Sequence, residues 1–281
     1  MIKIVTDTTS GLPPEWARAY DIPMIPQIII FGEESYRDDT EMDTRTFLQK
    51  LRASPTLPKT AAPPPALYHP VFERLLAEGY RTIICLHPSS ELSGTVRSAL
   101  TAAQDFPGAD IRVVDTRTIA APLATAALLA ARWAQEGVEA DTIIAQVQDL
   151  LARQRVYFVV DTLEYLHRGG RIGGAQALLG GLLQVKPILT LQDGRVEPFE
   201  KQRTRRRALE RLRELVLAGC PPSPESYLAV MHADAEATAR ELAADFSARL
   251  GIPEVPIYEL PPAIVTHAGP GVLAVSYFVT P

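Results

Sequence analysis

Four short, largely apolar segments of strand length mark the first 160 residues: IKIVT (2–6), TIICL (82–86), IRVVD (111–115) and VYFVV (156–160). A strand with one wet face alternates apolar and polar residues, whereas a run without alternation needs cover on both faces. The runs therefore predict a parallel sheet between layers of helices. Helical patterns near 94–105, 119–136 and 139–153 supply that cover. IPQIIIF (25–31) reads as one more strand, and a helix over roughly 44–52 follows a cap at Asp43. The Pro-rich stretch SPTLPKTAAPPPALYHP reads as a loop leading into a helix near 66–78.

The second part of the chain has a different texture. LLQVKPILTLQDGRVEPFEKQ (182–202) predicts two strands around an Asp-Gly turn. A basic helix covers roughly 203–217, GCPPSPES (219–226) reads as a linker, SYLAVMH as a strand, and the next helix stops at Gly251. GVLAVSYFV (271–279) closes as a strand. The expected architecture is an α/β domain with a parallel sheet over 1–155, followed by an α+β domain over 156–281.

Composition narrows the function. A net charge of −5 argues against a surface built for nucleic acid. Cys85 and Cys220 stand far apart with no Cys/His ligand spacing, so no metal site or disulfide framework is expected. The start MIKIVTDTTS lacks the basic segment and long apolar core of a signal peptide, and the apolar stretch 119–134 is too short for a bilayer. The expectation is a soluble cytoplasmic protein. There is no P-loop, G-x-S-x-G elbow or HExxH.

Three polar clusters sit at predicted strand ends: DTTS (7–10), HPSSELSGT (87–95) and DTRT (115–118). The crevice outside the carboxyl ends of strands is the usual ligand site in open α/β sheets. Helix capping is the plainer explanation for Ser89 and Ser90. Ser93-Gly94-Thr95 asks for more, because Gly94 admits close backbone approach and the following helix start offers free N–H groups to an anion. Thr60 is the one hydroxyl of KTAAPP, a segment that otherwise reads as an ordinary rigid loop. In LEYLHRGGRIGG (163–174), a C-cap accounts for Gly169 and Gly170, and Arg171 is either a surface charge or an anion clamp. His267 precedes a tight Gly-Pro-Gly turn and can be a plain loop histidine; G-x-G-x-x-A at the same place is too close to the end of the chain for a dinucleotide-binding unit. The basic stretch 200–215 is either a solvated helix face or a docking surface for an acidic partner.

Taken together and in order, these motifs resemble the DegV-like family, which includes the fatty-acid-binding subunits of bacterial fatty acid kinase. The resemblance runs nearly end to end through VTDTTSGLP, SSELSGTVRSA, VVDTRT, LEYLHRGGRI, the 182–209 segment and HAGPGVLAV. Two positions depart from the family pattern: Ala61 and Ala62 replace the usual Ser-Gln after Thr60, and His167 stands where lysine or arginine is common. The resemblance implies a long-chain fatty acid in an apolar tunnel between two domains. Its carboxylate would be held by Thr60 and Ser93, with Gly94, Arg171 and His267 beside it. It also implies a partner, the catalytic subunit of a fatty acid kinase, which converts the presented acid to acyl-phosphate and contacts Arg203. No cofactor or catalytic residue is implied. Two other readings compete: an acyl-ester hydrolase using Ser93 and His267, and a regulatory module binding another small molecule, since the fold also resembles that of dihydroxyacetone kinase. The energetics favour lipid. Burying about 14 methylenes at about 0.8 kcal/mol each supplies roughly 11 kcal/mol, leaving the head group to be oriented and neutralised.

Overall fold

The computed structural model describes residues 1–179 and 185–280. The chain opens with β1 (Ile2–Asp7), α1 (Pro14–Ala19), β2 (Met24–Ile25), β3 (Ile28–Phe31), β4 (Glu34–Arg37), α2 (Thr44–Ala53), β5 (Lys59–Ala61) and α3 (His69–Ala77). It continues through β6 (Thr82–His87), α4 (Thr95–Gln104), β7 (Asp110–Asp115), α5 (Ala121–Gln135) and α6 (Ala140–Ala152). The second part comprises β8 (Gln154–Val159), α7 (Glu164–Arg168), β9 (Lys186–Gln192), β10 (Arg195–Gln202) and α8 (Arg205–Gly219). It ends with β11 (Ala229–His232), α9 (Glu236–Leu250), β12 (Ile257–Glu259), α10 (Pro262–Ala268) and β13 (Leu273–Phe278).

The predicted parallel sheet is present in the order β2-β1-β6-β7, with every pairing parallel. Its two faces divide residue by residue. Ile4, Ile84, Leu86 and Val114 face the core that holds α5, while Val5, Ile83 and Cys85 face Tyr68, Phe72 and Ala99 of the α3–α4 side. Both faces are dry, which is why the runs do not alternate.

The fourth run belongs elsewhere. VYFVV is not a strand of the parallel sheet: β8 pairs antiparallel with β13 and β9 inside a six-stranded sheet ordered β10-β9-β8-β13-β11-β12. That sheet is also covered on both sides, so an unbroken run does not distinguish parallel from antiparallel here. Tyr157 and Val159 pack with Leu212 and Phe246 of α8 and α9, whereas Val156 and Phe158 face the first sheet's side of the molecule. The pairing of Gln154 with Phe278 and Arg155 with Tyr277 starts this strand two residues before position 156.

IPQIIIF is likewise two strands rather than one. β2 edges the parallel sheet, and β3 joins a separate antiparallel sheet ordered β4-β3-β5. Pro26 has no N–H for a ladder, and the Gln27 side chain turns inward to Asp7 and Thr95. β5 is a second correction: Lys59–Ala61, read as loop, pairs with β3 and sets Thr60 opposite Ile29. The hairpin is as expected from Lys186 onward, with Asp193 and Gly194 both at positive φ in a two-residue turn; its expected first residues, 182–184, lie outside the described residues. The short helix α10 has no counterpart in the sequence reading. Among the described residues no helix is long and apolar enough to cross a membrane.

Candidate functional site

A cavity of about 110 Å³ opens between the two main sheets. Val156, Phe158, Met231 and Ala274 form its floor from alternate positions of β8, β11 and β13, and the hairpin adds Leu191 and Val196. Leu92, Ile119 and Ala120 close it from the first sheet's loops, and α10 contributes Ile264. Among the described residues, Arg171 and His267 are the only polar side chains lining it. Both also line an adjoining depression with Thr60, Lys59 and Arg168, so the apolar cavity leads to a basic mouth.

At the mouth, His267 Nε2 and Thr60 Oγ1 are 2.7 Å apart. Burial, with Arg171 nearby, lowers the His267 pKa to about 4, so the ring is neutral near pH 7. Its Nδ1 is buried without a partner. A proton there would strand a buried donor, so the proton belongs on Nε2, which donates to Thr60 Oγ1. The Thr60 hydroxyl proton is then left for a ligand. Gly169 is required here for a reason beyond the C-cap. A Cβ at this position would lie 2.3 Å from His267 Nδ1, so the absence of a side chain lets α7 seat the imidazole. Gly269 needs its identity twice over, with φ +79° and the Tyr165 ring 2.5 Å from any added Cβ.

Arg171 is held by backbone carbonyls at this mouth. Its Nε donates to Leu92 O at 2.9 Å and one terminal nitrogen to Gly169 O at 2.6 Å. Burial pushes its pKa below the ordinary arginine value, and among the described residues it has no carboxylate partner. A half-buried guanidinium bonded to carbonyls, with no carboxylate partner among the described residues, is an unneutralised charge at the mouth.

Ser93 and Gly94 stand beside this cluster rather than lining the cavity. The Leu92 carbonyl held by Arg171 anchors their loop, and a Cβ on Gly94 would touch Ala62 Cβ at 3.4 Å, so the serine loop and the Thr60 segment abut. Ser93 Oγ lies 2.7 Å from Thr95 Oγ1. Its hydrogen-bond partner is thus Thr95, and that of His267 Nε2 is Thr60, so no Ser93–His267 pair is formed. Ser89 and Ser90 do not cap α4. Ser89 Oγ donates to Gly194 O at 2.8 Å, fastening the hairpin tip, and Ser90 Oγ donates to Asp115 at 2.5 Å. Their chemistry is spent on tying loops together, a use that local sequence cannot distinguish from a cap.

Arg203 lies apart from the mouth. It is exposed, between β10 and α8, in no ion pair among the described residues. Its neighbour Arg205 pairs with Asp161 and donates to Gly271 O at 2.6 Å, connecting the start of α8 to the turn that follows His267. Gln27, His87 and Tyr68 escaped the sequence reading. His87 is wholly buried, with Nδ1 2.8 Å from Asp7 Oδ2 and Nε2 3.3 Å from Tyr68 OH. The one available signal was His87 ending an apolar strand.

Comparison with known proteins places this architecture. A family model described as an uncharacterised protein of the DegV family matches residues 1–280. A DegV domain-containing protein of Halalkalibacterium halodurans is 36% identical over 278 residues, covering 99% of this chain and 98% of the relative. One from Streptomyces coelicolor is 38% identical over 275 residues, covering 98% and 97%. Among solved structures, a DegV family protein from Thermus thermophilus described by its fatty acid binding superposes with a TM-score of 0.90 at 33% identity, covering 99% of both chains. DegV of Bacillus subtilis, described as a fatty acid binding protein, superposes at 0.87 with 34% identity and the same coverage.

Proposed function

The chain belongs to the DegV family, and from its cavity we propose that it binds a long-chain fatty acid between the 1–155 and 156–281 regions and presents the carboxylate to a separate kinase subunit for acyl-phosphate formation. The observation that carries this reading is an apolar cavity whose only polar lining among the described residues is Arg171 and His267, opening at Thr60. The acyl chain lies against Phe158, Met231 and Ala274. The carboxylate meets the Arg171 charge and accepts from Thr60 and Ser93, with Gly94 giving the backbone room. Fatty acid binding by the Thermus thermophilus and Bacillus subtilis proteins supports the ligand class.

The carrier role needs no nucleophile. An ester hydrolase would need Ser93 activated by His267, yet each is bonded to a different hydroxyl, and His267 Nδ1 has no carboxylate behind it. The exposed Arg203, beside the α8 start that is tied to the Gly271 turn, is the kinase contact. Mass spectrometry of the denatured, freshly purified protein tests the ligand: a co-purified long-chain fatty acid is expected. Acyl-ester turnover by the purified chain, lost in Ser93→Ala, would overturn the carrier reading.

A further inference from the structure

A buried hydrogen-bond chain runs behind Ser93, and none of its members lines the cavity. Asp7, Gln27, His87 and Thr95 are all at most 2% exposed. Asp7 Oδ1 receives Thr9 N–H at 2.9 Å and lies 3.1 Å from Gln27 Nε2, while Oδ2 faces His87 Nδ1. A carboxylate ringed by donors acts as an acceptor. The end of the Gln27 amide that faces it is therefore the NH2 group, which fixes the amide's orientation. The second N–H of that group reaches Thr95 Oγ1 at 3.0 Å. Thr95 Oγ1 accepts from Gln27, and Ser93 Oγ is the acceptor within reach of its buried proton among the described residues, so that proton goes to Ser93 Oγ, 2.7 Å away. Ser93 Oγ also receives Thr95 N–H at 3.3 Å. With two donors occupying its lone pairs, Ser93 has only its proton left to offer.

We propose that Asp7, Gln27 and Thr95 are positioning residues that hold the Ser93 hydroxyl as an outward donor, presetting the mouth for an acceptor such as a carboxylate. This rests on the fatty-acid reading above, which supplies the acceptor. The direction of every bond follows from one fixed point, the acceptor-only carboxylate of Asp7. The Thr60 hydroxyl is set in the same sense from the other side by His267 Nε2–H, so two hydroxyls, one on β5 and one in the loop before α4, have their protons free together.

The test is a double-mutant cycle with hexadecanoate on lipid-stripped protein. Binding of hexadecanoate by the unaltered chain tests the fatty-acid reading separately from the relay. Thr95→Val and Gln27→Met should each weaken hexadecanoate binding about tenfold, as expected when a hydrogen bond to a charged group is lost. In a Ser93→Ala background the same two changes should cost less than about twofold, because their effect passes through Ser93. Thr95→Ser, which keeps the hydroxyl, should restore binding. Equal losses in both backgrounds, or no loss in either, would overturn the relay. Neutron diffraction from the unaltered protein in heavy water gives a reading independent of whether the variants fold. A deuterium on Thr95 Oγ1 pointing at Ser93 is expected, and one pointing from Ser93 to Thr95 overturns the proposal.

Discussion

The wall of the cavity and its mouth are assembled differently. Val156, Phe158, Met231 and Ala274 line the wall from strands locked edge to edge in one sheet, and their side chains follow from the two-residue period. Thr60, Arg171 and His267 come to the mouth from a three-residue strand, the segment after α7 and the last turn of α10. The wall works by area, which is additive and indifferent to direction. The mouth works by the direction of a few protons and one unneutralised charge. A change to the wall should therefore alter how much chain is held, and a change to the mouth should alter how the head group is held.

The largest expected effect comes from filling the wall. Ala274→Trp would displace about four methylenes of a bound chain, costing about 3 kcal/mol, or roughly a hundredfold or more in affinity for a sixteen-carbon acid. Isothermal titration with acids of ten and sixteen carbons checks it, because the shorter acid should lose much less. Equal losses for both would mean that the wall does not grade chain length.

The mouth should respond to acid where the wall does not. His267 has a folded pKa of about 4 against an ordinary 6.5, so the unfolded chain binds the extra proton first. Stability from this group is therefore full above pH 6.5 and falls as pH drops toward 4, by at most about 3 kcal/mol. Urea unfolding of lipid-stripped protein across pH 4 to 7 should show this slope. His267→Gln should flatten it, and a bound fatty acid should reduce it, since its carboxylate favours the imidazolium. A slope unchanged by His267→Gln would assign the acid sensitivity to other groups.

Ser93→Ala should remove roughly 1–3 kcal/mol of head-group fixation. Bound lipid should persist while acyl-phosphate formation by a cognate kinase falls more than binding does. Unchanged phosphorylation would remove Ser93 from the head-group site. The smallest effect belongs to Arg203→Ala, an exposed charge at a docking rim. It should leave lipid binding intact and slow kinase association about fivefold, with the difference shrinking as salt rises. Loss of lipid with docking untouched would contradict the placement of the partner surface.

The wall and the mouth also differed in how far sequence could reveal them. The parallel sheet was legible because IKIVT, TIICL and IRVVD do not alternate apolar and polar residues as a half-wet strand does, and β1 and β6 are buried along nearly their whole length. VYFVV misled for the same reason: a strand covered on both faces looks alike in either kind of sheet. The cavity itself was not legible from patterning, since its lining runs from Leu92 to Ala274 and only the tertiary fold gathers it. At the mouth, Thr60, Ser93, Arg171 and His267 were reached through ordered motifs and not through periodicity. Pro58 and Pro63 flanking Thr60 masked β5, and Pro261 and Pro262 masked the start of α10. Gln27 was invisible because one polar residue inside IPQIIIF reads as a strand continuing, when it marks the point where the chain leaves one sheet for another.

The central claim is that chain burial supplies the affinity and the mouth supplies orientation. A competition series on lipid-stripped protein tests it most directly, using saturated acids from eight to eighteen carbons beside glycerol phosphate and a nucleotide. Shortening from sixteen to eight carbons should cost about 6 kcal/mol, more than a thousandfold, and the phosphate esters should not compete. Affinity independent of chain length, or preference for the phosphate esters, would contradict it.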